Sequence, residues 1–162
     1  MEKIPTTAKG YQALMDELRE LKDVARPAII AAIAEARGHG DLKENAEYHS
    51  AREKQGFIEG RIQELESVIS RVEVIDFTKF EGDTVRFGAT VELYDEDSEV
   101  TSRYMIVGHY EADINKNRLS LQAPLSRALI GKASGDVVKV TTPGGQKSYE
   151  IVSVNFHEKY YN

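Results

Sequence analysis

The chain of 162 residues has no cysteine and no tryptophan. A disulfide framework and any thiolate metal site are therefore excluded. The missing cysteine also fits a reducing compartment such as the cytoplasm. No run approaches the roughly 18 apolar residues of a membrane span, and the opening MEKIPTTAKGY lacks the apolar core of a secretion signal. The sequence therefore predicts a cytoplasmic protein with no membrane association. Positive charge is not in excess: the net charge is −6 and the pI is near 5.3. Residues 1–75 hold 11 Lys/Arg and 14 Asp/Glu, and residues 76–162 hold 10 and 13, so the acidity is spread along the chain. Non-specific binding to a phosphate backbone is disfavoured. Any nucleic-acid contact has to be local and shielded by a protein partner. Gly-rich phosphate loops, zinc-ligand spacings and a supported Ser/His/Asp arrangement are also missing.

Hydrophobic residues at 41% suffice for a packed core, and charged residues at 30% suit coiled-coil surfaces. The pattern changes near residue 76: helical periodicity precedes it, and strand-like alternation broken by Gly and Pro follows. The predicted domains are a helical hairpin over 1–76, with its turn region at 38–48, and a globular domain over 77–162. The first helix is expected to start at Thr6 or Thr7, whose hydroxyls can cap free amides. Leu14, Leu18 and Leu21 recur at spacings of four and three, a heptad seam. Pro27 predicts a kink or register break near Ala25–Arg26. The Ala-rich run after it is strongly helical and stops at Gly38-His39-Gly40. A second helix is expected to open at Asp41, with Tyr48, Ala51, Gln55, Ile58, Ile62, Leu65, Ile69 and Val72 as its seam. Folding the arms about Gly40–Asp41 sets Leu21 against Arg61–Ile62, Leu18 against Glu64–Leu65 and Leu14 against Val68–Ile69. The seams coincide, as an antiparallel hairpin requires. Arms of about 30 residues make a rod roughly 45 Å long at about 1.5 Å per residue.

The second half predicts short strands at 84–87, 89–94, 103–109, 118–121, 136–141 and 148–154. Pro143-Gly144-Gly145 marks a hairpin turn between the last two. The segment 124–131, with Pro124 at its start and Gly131 after its end, reads as one short helix. The fold class is α+β.

Chemistry is sought at the turn, because a long hairpin with a charged end is useful when that end must reach something. Asp41 and Glu44 are three residues apart. Two carboxylates can hold a hard cation such as Mg²⁺ through oxygen, but two alone make a weak site. A partner would have to supply the remaining ligands. The simpler alternative makes Asp41 the cap of the second helix and Glu44 the other half of a capping box. His39 and His49 read as solvated residues, and 95–99 as a charged loop. Arg37 and Arg52 flank the turn on opposite arms; they could touch phosphate, or belong to a solvated face beside Glu35, Glu47 and Glu53.

The run from Gly40 to Phe57, GDLKENAEYHSAREKQGF, closely resembles the hairpin-tip signature of the GreA/GreB family of bacterial transcript-cleavage factors. RPAIIAAIAEAR over 26–37, FGATV over 87–91, LIGK over 129–132 and TPGG over 142–145 resemble further landmarks of that family. The likeness spans nearly the whole chain. It implies an antiparallel coiled-coil hairpin followed by an FKBP-like antiparallel β-sheet domain with one short helix. It implies RNA polymerase as partner, with the globular domain docked on the rim of the secondary channel through residues such as Pro124, Leu129 and Gly131. The hairpin would enter the channel and meet the nascent RNA 3′ end. Asp41 would help hold a second Mg²⁺ shared with polymerase, and Glu44 would activate water. The reaction implied is endonucleolytic cleavage of RNA in backtracked complexes, performed by polymerase with this chain as cofactor, not as an enzyme by itself. The free protein is expected to be monomeric and without bound Mg²⁺.

Leu42-Lys43 and Ala51-Arg52-Glu53-Lys54 side with the GreA group, and Gln122-Ala123 departs from the serine the family commonly places before Pro124. Two other readings fit parts of the sequence less well. A channel-binding inhibitor of the same architecture would carry extra tip acids, whereas Lys43 separates Asp41 from Glu44 here. A peptidyl-prolyl isomerase would need an aromatic-lined pocket, and the Phe and Tyr residues are not clustered in sequence.

Overall fold

The computed structural model describes residues 2–41 and 44–161, so the readings that rest on Leu42 and Lys43 lie outside the described residues. The chain divides into two compact units: one holds residues 11–72, and the other holds 4–10 with 73–162. The division falls four residues before the expected boundary at 76, and residues 4–10 group with the sheet rather than with the hairpin.

The hairpin unit holds α1 (Ala8–Glu20) from Tyr11 onward, α2 (Arg26–Arg37) and α3 (Ala46–Arg71). The cap of α1 is Thr7: its hydroxyl oxygen accepts the Gly10 N–H at 3.0 Å. Between α1 and α2 lies a π-helical turn, Leu21–Ala25, closed by the Arg26 N–H on the Leu21 carbonyl. It is the register break expected from Pro27, which sits in the first turn of α2. Proline lacks an N–H and crowds the preceding turn, and the wider turn accommodates both. Ile29, Ile33, Ile58 and Ile62 form the hairpin's core cluster, with Leu18, Leu21, Ala25, Tyr48 and Ala51 packed against it. Further along α3, Leu65 and Val68 are each 1% exposed, whereas Ile69 is only half-buried, so the seam passes through Val68. Burying each such aliphatic contributes roughly 1.5–3 kcal/mol. Ion pairs stitch the arms outside the seam. Arg61 donates to Glu17 at 2.6 and 2.8 Å, and Arg26 donates to Glu59 at 2.8 and 2.7 Å. The guanidinium bonds hold both carboxyls below their usual range.

The second unit carries a five-stranded sheet in the order β5-β4-β3-β7-β6. The strands are β3 (Thr90–Asp95), β4 (Val100–Val107), β5 (Arg118–Ser120), β6 (Val137–Thr142) and β7 (Gly145–Asn155). A separate two-stranded sheet pairs β1 (Ile4–Thr6) with β2 (Val72–Val74). Neighbours in the large sheet are antiparallel except β5, which runs parallel to β4. Pro143-Gly144 is the turn of the β6–β7 hairpin, since Thr142 pairs with Gly145. The strand expected over 84–87 shrinks to one bridge, Thr84 to Ala133, because the chain turns back where the Ala89 N–H meets the Arg86 carbonyl at 3.0 Å. Helix α4 (Pro124–Leu129) is the expected short helix.

Side chains alternate across a strand, so Val91, Leu93 and Ile106 enter the main core with Val85, Ala89, Leu129, Val138, Val140 and Ile151. Met105 and Val107 project to the other face and pack with Phe77, Phe80, Phe156 and Tyr161. Coverage of both faces explains why Met105, Ile106 and Val107 are buried in succession.

Glu111 joins residues 4–10 to the sheet unit. It is 8% exposed. Its carboxylate accepts from the Thr7 N–H (2.9 Å), the Thr7 hydroxyl, the Gly108 N–H (2.9 Å) and the Tyr161 hydroxyl (2.8 Å). A Cβ on Gly10 would sit 2.3 Å from Glu111 Oε1, and one on Gly108 would sit 2.3 Å from the Pro5 carbonyl oxygen. Only glycine permits this approach. Burial, together with the Glu111 carboxylate, pushes the Tyr161 phenol up to about 12.

Candidate functional site at the hairpin turn

Helix α2 ends at Arg37, and the N–H groups of Gly38 and His39 close on the carbonyls of Glu35 (3.0 Å) and Ala36 (3.1 Å). Gly38 keeps right-handed geometry, and the positive φ falls at Gly40 (123°). Helix α3 does not open at Asp41. It opens at Ala46, and its cap is Asn45, whose Oδ1 accepts the Tyr48 N–H at 3.0 Å. The same side chain donates through Nδ2 to the Ala36 carbonyl at 2.6 Å, tying the two arms together. Asn caps a helix as well as Asp does, and only the residue next to Ala46 can do both tasks. The capping-box reading of Asp41 and Glu44 is thereby corrected: Asn45 is the cap, and the third helical residue is Tyr48.

Asp41 and Glu44 are both exposed, and both line one shallow depression of about 460 Å³ with His39, Asn45, Ala46 and Glu47. The structure therefore brings the two predicted acids to one surface, outside the helix that was expected to use them. His39 is more than a solvated residue: its Nδ1 lies 3.2 Å from Glu47 Oε2. The Arg37 guanidinium lies 5.9 Å from the centre of the Tyr48 ring, a cation–π distance, and Arg52 is exposed one turn further along α3. The carboxylates are hard oxygen donors of the kind Mg²⁺ takes. No cluster of three or more His, Cys, Asp or Glu able to hold a metal occurs among the described residues. The donors fit the ion in kind and supply part of a ligand set.

The three predicted docking residues separate. Pro124 and Gly131 are exposed, whereas Leu129 is 0% exposed within the main core. The assignment of Leu129 to docking is therefore corrected: its side chain holds α4 to the sheet and offers nothing to a partner. Sequence reasoning also missed Asn45 and Glu111, both polar residues whose partners lie far away in the chain or on the other arm.

Fold and turn together define a helical hairpin with an acidic turn, carried on a chain with a separate sheet unit. The family model for the N-terminal domain of transcription elongation factors of the GreA/GreB type matches residues 4–74, and the model for the C-terminal domain matches residues 80–156. The chain belongs to the GreA/GreB family of transcription elongation factors and is of the GreA type. It is 60% identical to transcription elongation factor GreA of Phenylobacterium zucineum and 62% identical to that of Paracoccus denitrificans, in each case over 96% of this chain and 99% of the relative. Among solved structures it is similar to GreA factor homolog 1 of Thermus thermophilus, with 25% identity, 95% of this chain and 99% of that one covered, and a TM-score of 0.44. The GreA/GreB factor from Nitrosomonas europaea matches at 24% identity, with 95% and 100% covered and a TM-score of 0.43.

Proposed function

We propose that this chain binds RNA polymerase and stimulates polymerase's own endonucleolytic cleavage of the nascent RNA 3′ end in backtracked complexes, so that elongation resumes. The observation that carries this reading is the division of labour at the turn. Asn45 caps α3, and that leaves Asp41 and Glu44 exposed on one depression. Both carboxylates thus lie at the surface of the turn, where a partner can reach them.

In this reading the hairpin enters the secondary channel, and the sheet unit docks at its rim, with Pro124 and Gly131 as candidate contacts. Asp41 would supply one oxygen ligand to a Mg²⁺ shared with polymerase, and the ion when bound would supply positive charge to offset the negative charge on the reacting phosphate. The ligand set among the described residues is partial, and this suits an ion completed by the partner. Glu44 orients the attacking water and accepts its proton. Arg37 and Arg52, on either side of the turn, would meet RNA phosphate. The free chain is monomeric in this reading and acts as a cofactor, with polymerase supplying the remaining catalytic groups.

The test uses stalled, backtracked elongation complexes carrying labelled RNA, with Mg²⁺. Wild-type chain should shorten the RNA, while Asp41→Asn and Glu44→Gln should bind polymerase and leave the RNA intact. Cleavage by both variants at the wild-type rate would remove the acids from the chemistry.

A further inference from the structure

The sheet unit carries a second cleft, away from the face that packs the main core. It measures about 490 Å³ and is lined by Thr90, Arg103, Met105, Lys116, Asn117, Lys159 and Tyr160. Three of these side chains are cationic and none is acidic. In a chain of net charge −6, such a cluster runs against the average, and its mutual repulsion has to be offset.

The nearby acids are turned to other tasks. Glu92, the cross-strand neighbour of Arg103, accepts from the Ser153 hydroxyl at 3.1 Å. Asp113 accepts the Asn115 N–H at 3.0 Å, and Glu158 lines different depressions. No ion pair to Arg103, Lys116 or Lys159 occurs among the described residues. Instead the Tyr160 ring holds two of the cations, with the Arg103 guanidinium 4.8 Å and the Lys159 ammonium 5.2 Å from its centre. The Asn117 carbonyl accepts the Met105 N–H at 2.9 Å, which fixes the Lys116–Asn117 corner to β4.

We propose that this cleft is a phosphate-binding site for a small phosphorylated ligand carrying at least two negative charges, held by Arg103, Lys116 and Lys159. Guanidinium and ammonium groups are the usual partners of phosphate oxygens, and the volume lies within the range of small-ligand pockets.

The probes are inorganic pyrophosphate, ADP and a 12-nucleotide single-stranded RNA, titrated into the full chain by calorimetry and by amide chemical-shift mapping. Pyrophosphate and ADP should each bind saturably at one site, with shifts centred on Thr90, Arg103, Asn117 and Tyr160. Arg103→Gln and Lys116→Gln should each weaken binding about tenfold. Absence of saturable binding by the wild-type chain overturns the proposal without recourse to any variant. Binding that the glutamine variants leave unchanged, or shifts centred elsewhere, overturns it too. Binding of the RNA alone assigns the cleft to a nucleic-acid backbone and overturns the small-ligand proposal.

Discussion

The hairpin turn and the sheet unit solve opposite problems. Between Arg37 and Phe57 no described side chain is buried, and the turn is held by a few polar contacts centred on Asn45 and His39. In the sheet unit, nine buried residues form one core, and a buried carboxylate fastens the chain's start to it. Local stability follows buried contact. The turn therefore draws little stability from its own sequence, and its residue types are available for contact with a partner. The sheet unit has no such freedom around Glu111, where a single methyl on Gly10 or Gly108 would collide.

This contrast can be broken or sharpened by substitution. The largest stability loss is expected in the hairpin seam. Leu65→Ala should cost about 3 kcal/mol by chemical denaturation, since it empties a site 1% exposed. Glu111→Gln comes next, at roughly 2 kcal/mol, because an amide cannot accept all four donors that the carboxylate serves. Asn45→Ala should cost about 1 kcal/mol through loss of the cap and should speed amide exchange at Tyr48. A smaller cost than for Asp41→Ala would return the cap to Asp41. The smallest effect is on pH dependence. The folded-state phenol of Tyr161 titrates near 12, above its ordinary value of 10. Its contribution is therefore complete below about pH 10 and is lost as pH rises toward 12. The melting temperature should fall over that window, and Tyr161→Phe should flatten the fall.

Much of the architecture was legible because its signals are periodic and local. The Leu18–Leu21 and Ile58–Ile62–Leu65 spacings gave the hairpin, and Pro124 and Pro143-Gly144 gave the short helix and the last turn. The Pro27 break was legible in place, though not as a π-helical turn. What escaped was non-local. The cap of α3 was misplaced because Asp41 and Asn45 are equally good caps in isolation, and only the reach to the Ala36 carbonyl on the other arm separates them. Glu111 gave no signal, as its partners lie up to 104 residues away. Leu129 entered as a contact residue through the family resemblance alone, and a helix of six residues is too short for periodicity to show which face is inward. Asp41 and Glu44 stand out in the sequence through their spacing and the run around them. Their separation from the helix cap needed the structure.

The central claim is that stability and chemistry are divided at the turn between Asn45 and the pair Asp41 and Glu44. The most direct measurement takes the Asp41→Asn/Glu44→Gln double variant and Asn45→Ala through thermal melting and RNA cleavage in backtracked complexes, at polymerase-saturating concentration. The proposed roles predict cleavage reduced about a hundredfold or more for the double variant, with a smaller fall in melting temperature than for Asn45→Ala, which should melt earlier and keep substantial cleavage. A double variant that melts early and still cleaves would contradict them.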